Sequence, residues 1–301
     1  MLVRFFFLGL VFLNSACALL VRKGSQEEIK QITVQGQVRR YILHVPASYD
    51  AQKKTALVVV LHGGGGNGRN AEKMSGFSAK ADKEGFIVVY PYGSGRLDER
   101  LLTWNAGNCC GYALDKNVDD VAFIRELVVL LKRQYSIDDK QIFATGMSNG
   151  GMMTHRLACE LSDVFSGVAP VSGAMNVPVC NPARAVSMVI FHGKKDEHVL
   201  FEGGVPKKSV DSHPRVDRSV AAAVEFWKNR NGCTQSPTES HGKIQIEDFS
   251  CAQAGLAVYA IEDEGHTWPG GEKGYFAADE PTREISATDV MWDFWQKNLR
   301  P

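Results

Sequence analysis

The segment Gly146-Met147-Ser148-Asn149-Gly150, a G-x-S-x-G pattern, constrains this chain more than any other part of it. The pattern alone is weak, because at average serine usage and with 29 glycines it arises by chance in roughly one such chain in five. Its setting makes it informative. Residues 141–145 read as a strand, and from Asn149 a helix carries Met152, Met153, Leu157 and Ala158. A serine between strand and helix, with glycines relieving the crowding around it, sits where a nucleophile elbow must be. The competing reading is a glycine-rich turn in which Ser148 only caps the helix.

The rest of the chain fits such an elbow. Residues 32–34 and 40–45 predict an antiparallel hairpin around Gln35-Gly36-Gln37, at a sheet edge. Residues 56–61 and 86–90 are continuous apolar runs rich in valine, as expected of strands covered on both faces. A helix begins near Asp119 and Asp120, whose carboxylates suit the positive end of a helix dipole. Val121, Ile124, Leu127, Val128 and Leu131 recur along it at helical spacing. Strands at 168–171, 188–191 and 256–261 alternate with helices at 216–227 and 287–298. Such alternation predicts an α/β protein: a mostly parallel central sheet with an antiparallel N-terminal hairpin and helices on both faces. No linker or internal repeat interrupts residues 19–301, which read as one catalytic domain.

A serine hydroxyl needs a base to remove its proton, and the base needs a partner that fixes its tautomer. In this architecture the partners follow in the order Ser, Asp or Glu, His, each beyond the carboxyl end of a strand. Asp196 leaves the strand at 188–191 through His192-Gly193-Lys194-Lys195, with Glu197 as its rival. His266 follows the strand at 256–261. His44, His155, His192, His198, His213 and His241 lack that combination of order and strand-end placement.

Acyl transfer also needs donors for the oxyanion of the tetrahedral intermediate. The backbone N–H of Asn149 is the first candidate. The second comes from the loop Leu61-His62-Gly63-Gly64-Gly65-Gly66-Asn67, with Gly64 favoured and Gly65 next. That loop lacks the G-K-[ST] ending of a phosphate loop and the G-x-G-x-x-G spacing of dinucleotide folds. Trp104 and Trp268 are the expected substrate-binding walls; for Trp104 the competing reading is that it covers the edge of the core.

The N-terminus reads as a secretory signal peptide over residues 1–18: Arg4, an apolar run at 5–13, then Ser15-Ala16-Cys17-Ala18. The run is far shorter than the roughly twenty residues of a membrane span. A lipoprotein signal acylated at Cys17 is the alternative, although Asn14 stands where such signals usually carry an aliphatic residue. Of 7 cysteines, removal of Cys17 leaves Cys109, Cys110, Cys159, Cys180, Cys233 and Cys251. An even count in an exported chain predicts disulfides, the shortest loops joining Cys159 to Cys180 and Cys233 to Cys251. Cys109 and Cys110 are left open. No C-x-x-C pair or histidine cluster points to a metal, and no cofactor is expected. Lys+Arg and Asp+Glu both total 34, so charge gives no reason to expect a nucleic-acid partner.

Taken in order, Leu61-His62-Gly63-Gly64-Gly65, Trp104-Asn105-Ala106-Gly107 with Cys109-Cys110-Gly111, Val118-Asp119-Asp120-Val121, Gly146-Met147-Ser148-Asn149-Gly150-Gly151 and Gly265-His266-Thr267-Trp268-Pro269-Gly270-Gly271 form a recognisable set. They resemble the α/β-hydrolase family that unites polyhydroxybutyrate depolymerases with secreted feruloyl and acetylxylan esterases. The resemblance implies a metal-independent secreted esterase whose triad maps onto Ser148, Asp196 and His266. Dedicated extracellular depolymerases usually add a linker and a polymer-binding module, which residues 19–301 lack. The expected substrates are therefore small or polysaccharide-linked feruloyl or acetyl esters, with polyhydroxybutyrate or its oligomers as the alternative.

Overall fold

In the computed structural model, residues 28–209, 213–234, 237–274 and 278–299 are described. The expected signal peptide and Cys17 lie outside them. The strands are β1 (Ile29–Val34), β2 (Gln37–His44), β3 (Thr55–Leu61), β4 (Ile87–Pro91), β5 (Ile137–Met147), β6 (Gly167–Val171), β7 (Ser187–Gly193), β8 (Cys233–Thr234), β9 (Glu239–His241), β10 (Ile244–Cys251) and β11 (Leu256–Ile261). The helices are α1 (Gly68–Ser75), α2 (Phe77–Glu84), α3 (Gly111–Asp115), α4 (Asp120–Gln134), α5 (Asn149–Glu160), α6 (Val220–Asn231) and α7 (Ala287–Lys297).

One sheet runs in the order β1-β2-β4-β3-β5-β6-β7-β11-β10-β8, with β9 paired to β10. The ladders from β4 through β3, β5, β6 and β7 to β11 are parallel. Both margins are antiparallel. In the N-terminal hairpin Val34 faces Gln37, so Gln35 and Gly36 make a two-residue turn, with φ of 50° and 78°. Positive φ at both positions gives the turn whose twist matches paired strands, and Gly36 supports it without a Cβ.

The valine-rich runs form strands buried on both faces. Leu57, Val59 and Leu61 of β3 enter a core shared with α4, α5 and α6. Ala56, Val58 and Val60 enter a second core shared with α1, α2 and α7. Alternate side chains of a strand point to opposite faces, so continuous apolar sequence is what such a strand requires.

The structure moves several boundaries. The helix expected at 216–227 is α6, which starts at Val220 because Ser219 caps it: its side chain accepts from the Ala222 N–H at 3.1 Å. Asp217, inside the expected span, is instead buried beneath Arg215. Cys159 is bonded to Cys180, Cys233 to Cys251, and Cys109 to its neighbour Cys110.

Candidate active site

Ser148 stands between β5 and α5 with φ 58° and ψ −124°, a region that costs a non-glycine residue of order 1–3 kcal/mol. Its N–H donates to Val171 O at 2.9 Å, which ties the turn to β6. The flanking glycines are required by contact: a Cβ on Gly150 would lie 2.5 Å from His62 O, and one on Gly146 would lie 2.7 Å from Gly150 C. The turn is thus pressed against the end of β3.

Asp196 lies in the loop after β7 with a buried side chain. Its Oδ1 accepts the N–H groups of His198 and Val199 at 2.8 and 2.9 Å. Its Oδ2 accepts from His266 Nδ1 at 2.7 Å, leaving Nε2 of that ring as the nitrogen able to take a proton. His192 comes within 3.5 Å of the same Oδ2 and donates through Nε2 to Val199 O at 2.7 Å. Burial pushes the Asp196 carboxyl up, but the charge of His266 and these hydrogen bonds outweigh it and hold the group well below the usual carboxylate range. Glu197, the rival acid, is ion-paired with Lys208 at 2.7 Å and makes no bond to His266.

His266 sits in the loop after β11, its N–H held by Asp279 Oδ2 at 2.8 Å. The ring of His198 lies against it, with centroids 4.9 Å apart. Burial and the charge of His266 hold the His198 pKa down.

The glycine loop is fixed by its own histidine. His62 donates through Nδ1 to Gly63 O at 2.8 Å and accepts the Gly93 N–H at Nε2 at 2.9 Å. That pairing needs a neutral ring, and burial lowers its pKa to about 4. Gly65 N–H is committed to Leu102 O at 2.8 Å and Gly66 N–H to Gly63 O at 3.0 Å. Gly64 is left beside Asn149: a Cβ on it would meet Asn149 Cβ at 3.6 Å. Asn149 is the first residue of α5, where N–H groups have no intrahelical partner.

Ser148, Asn149, Gly64 and His266 line one cleft of about 620 Å³. Asp196 lies behind His266. The two tryptophans are not brought into it. Trp104 is 0% exposed, its Nε1–H donating to His62 O at 2.9 Å, so it props the glycine loop from the core side. Trp268 is 1% exposed, packed edge-on against Phe77 and bonded through Nε1–H to Thr288 Oγ1 at 3.1 Å. Both expectations of a tryptophan wall are corrected, since each indole is consumed by internal packing. The walls come instead from Met74, Leu101, Tyr112, Met147, Met152 and the bonded Cys109 and Cys110, with His198, Lys208 and Arg215 on the polar side. Tyr112 belongs to the segment whose tryptophan drew attention. Arg215 carries no local motif at all. Among the described residues no group of three or more His, Cys, Asp or Glu is placed to hold a metal ion.

The strand order, the serine elbow between β5 and α5, and the acid and histidine loops after β7 and β11 define the α/β-hydrolase fold. The family profile described as esterase PHB depolymerase matches residues 39–223, and the chain belongs to this family of carboxylic ester hydrolases. It is 30% identical over 289 residues to the protein named "Putative esterase NocK" from Nocardia uniformis subsp. tsuyamanensis, spanning 88% of this chain and 81% of that one. It is 29% identical to feruloyl esterase C of Emericella nidulans, spanning 90% and 89%. Among solved structures, an acetyl xylan esterase from Aspergillus awamori superposes with a TM-score of 0.60 at 18% identity, covering 80% of this chain and 94% of that one. No helix among the described residues is long and apolar enough to cross a membrane.

Proposed function

We propose that the protein is an exported serine esterase that uses Ser148 as nucleophile, His266 as base and Asp196 as the acid that orients the base. The observation that carries this reading is the 2.7 Å bond from His266 Nδ1 to a buried Asp196, with His266 and Ser148 lining the same cleft. His266 takes the serine proton at Nε2 as Ser148 Oγ attacks the ester carbonyl. The N–H groups of Asn149 and Gly64 receive the oxyanion. The ester C–O bond breaks, His266 protonates the leaving alcohol, and an acyl-serine remains. Water, deprotonated by His266, then attacks the acyl-serine; the acid is released and Ser148 regains its proton.

Feruloyl or acetyl esters of plant-wall polysaccharide are the substrates this reading favours, supported by the relatives named for feruloyl ester hydrolysis. Three disulfides in the described residues fit an oxidising compartment. The test is kcat/KM of the purified mature protein on methyl ferulate, p-nitrophenyl acetate and a hydroxybutyrate oligomer, beside Ser148→Ala. Activity lost in the variant, with ferulate or acetate preferred, supports the proposal. Full turnover by Ser148→Ala removes the triad, and preference for the oligomer replaces the substrate class.

A further inference from the structure

The cleft has a polarity that the chemistry at Ser148 does not use. Its described lining includes the cations Lys208 and Arg215 and the ring of His198, and no aspartate or glutamate side chain. Among the described residues, carboxylates that pair with these cations lie outside that lining. Asp217, whose side chain is fully buried, accepts from Arg215 Nε at 3.0 Å and from Asn176 Nδ2 at 2.7 Å. Glu197 binds Lys208 Nζ at 2.7 Å. Arg215 itself has a side chain only 7% exposed, and its Nη2 donates to His198 O at 2.7 Å. Two of its three nitrogens are therefore occupied and the guanidinium cannot turn. Among the described residues Nη1 makes no hydrogen bond, and Arg215 lines the cleft.

Position relative to the base decides which half of an ester these groups meet. His266 must hand its proton to the leaving oxygen. Groups abutting its ring on the cleft side therefore flank the alcohol, whereas Asn149 and Gly64 flank the acyl carbonyl. His198 abuts that ring, and Arg215 is bonded to the His198 backbone.

We propose that Arg215, together with Lys208, forms a carboxylate-recognising subsite for the leaving alcohol, so that the enzyme prefers esters whose alcohol carries a carboxylate a few bonds from the ester oxygen. This rests on the ester-hydrolase reading and narrows its substrate class. An arginine already held at Nε and Nη2 offers a pre-oriented, permanently charged donor, so little rotamer freedom is lost on binding. A charge-assisted bond of this kind corresponds to about a tenfold to hundredfold preference. Such an alcohol is either a free hydroxy acid or a uronic acid residue of a polysaccharide.

Acetate release is measured from O-acetyl-3-hydroxybutyrate and from its methyl ester, and from an O-acetylated glucuronic acid and its methyl ester. The unaltered mature protein is compared with Arg215→Gln and Arg215→Lys, and p-nitrophenyl acetate is run throughout. The expected result is a kcat/KM ratio, acid over methyl ester, of about ten or more for at least one pair, carried by KM and reduced by salt. The pair with the larger ratio identifies the source. The ratio falls towards one in Arg215→Gln and is partly kept in Arg215→Lys. Should Arg215→Gln fail to fold, inhibition of p-nitrophenyl acetate hydrolysis of the unaltered protein by 3-hydroxybutyrate, against its methyl ester, reads the same preference. A ratio at or below one for both pairs, with p-nitrophenyl acetate still hydrolysed, overturns the subsite and leaves the hydrolase reading intact. Failure to hydrolyse p-nitrophenyl acetate overturns the hydrolase reading instead.

Discussion

The side-chain amide of Asn149 closes both backbone groups of Trp104, its Oδ1 accepting the N–H at 2.7 Å and its Nδ2 donating to the carbonyl at 3.0 Å. The residue after Ser148 thereby has two duties in the proposed mechanism. Its main chain is the donor proposed for the oxyanion, and its side chain pins the loop that carries the cleft wall. Asn149→Ala leaves the buried Trp104 N–H unpaired, at a cost of about 1–3 kcal/mol, while the Trp104 carbonyl keeps only the Cys110 N–H at 3.0 Å. The melting temperature and kcat are both expected to fall, with Asn149→Asp intermediate because it keeps only the acceptor. A melt unchanged from the parent in Asn149→Ala contradicts the pinning role.

Asp196→Asn is expected to keep the fold and to lower kcat/KM by about 10³–10⁴, since an amide cannot stabilise the imidazolium that forms on His266. Glu197→Gln is expected to change it less than threefold, because Glu197 is committed to Lys208 at the surface. Equal losses in the two variants, measured on p-nitrophenyl acetate, reopen the choice of acid.

Trp268→Ala and Tyr112→Ala separate packing from recognition. The first removes a buried indole between Phe77 and Thr288 and is expected to cost about 3–5 kcal/mol in urea unfolding, without altering the ratio of kcat/KM between substrates. The second removes an aromatic wall of the cleft and is expected to change that ratio with little loss of stability. The reverse pattern restores Trp268 as a recognition residue.

Acid is expected to destabilise this fold through buried histidines. Burial lowers the pKa of His62 to about 4 and of His155 to about 3, below the value near 6.5 of the unfolded chain. Between about pH 6.5 and 4 the unfolded chain binds protons that the folded one refuses. Stability is thus fully present above pH 6.5 and falls with pH by up to ~1.4 kcal/mol per unit for each histidine. Urea midpoints from pH 7 to 4.5 are expected to show this slope, shallower in His62→Gln. A His62→Gln slope equal to the parent's rules His62 out as a contributor.

Replacing Cys159 and Cys180 by serine opens a loop with a sequence separation of 21, and replacing Cys233 and Cys251 one of 18. Each is expected to cost about 3 kcal/mol by loop entropy, read as a lower melting temperature with kcat per folded molecule retained. A melt insensitive to reductant in the parent speaks against both bridges.

Much of this was legible in the residues. Strands β3, β4, β6, β7 and β11 announce themselves because a strand covered on both faces must be apolar at every position. Chain order and strand ends singled out Asp196 and His266, which lie bonded at 2.7 Å with His266 in the same cleft as Ser148. The short helices α1 and α2 did not show, since each has eight residues, most of them polar, and Gly76 between them serves both as the C-cap of one and the N-cap of the other. β10 was missed because Gln245, Glu247 and Asp248 interrupt its apolar residues near the sheet margin, where its partners β8 and β9 are both short. Trp104 and Trp268 misled because an aromatic beside a functional motif looks the same in sequence whether it faces the cleft or the core. Only packing decides that. Arg215 was invisible for the opposite reason: it reaches the cleft through a tertiary bond to His198 O, and its pairing with Asp217 two residues on marks nothing in the chain as part of a cleft.

Gly150 lies against the main chain of Leu61 and His62, so the serine turn and the glycine loop form a single mechanical part that cannot be re-cut without moving both. The wall at Leu101–Tyr112 is tied to this part through the Asn149 side chain, and the wall at His198 through Asp196 and His266. Descendants of this scaffold can therefore acquire new substrates by rewriting those two walls, while the moving parts of the reaction stay inherited and unaltered.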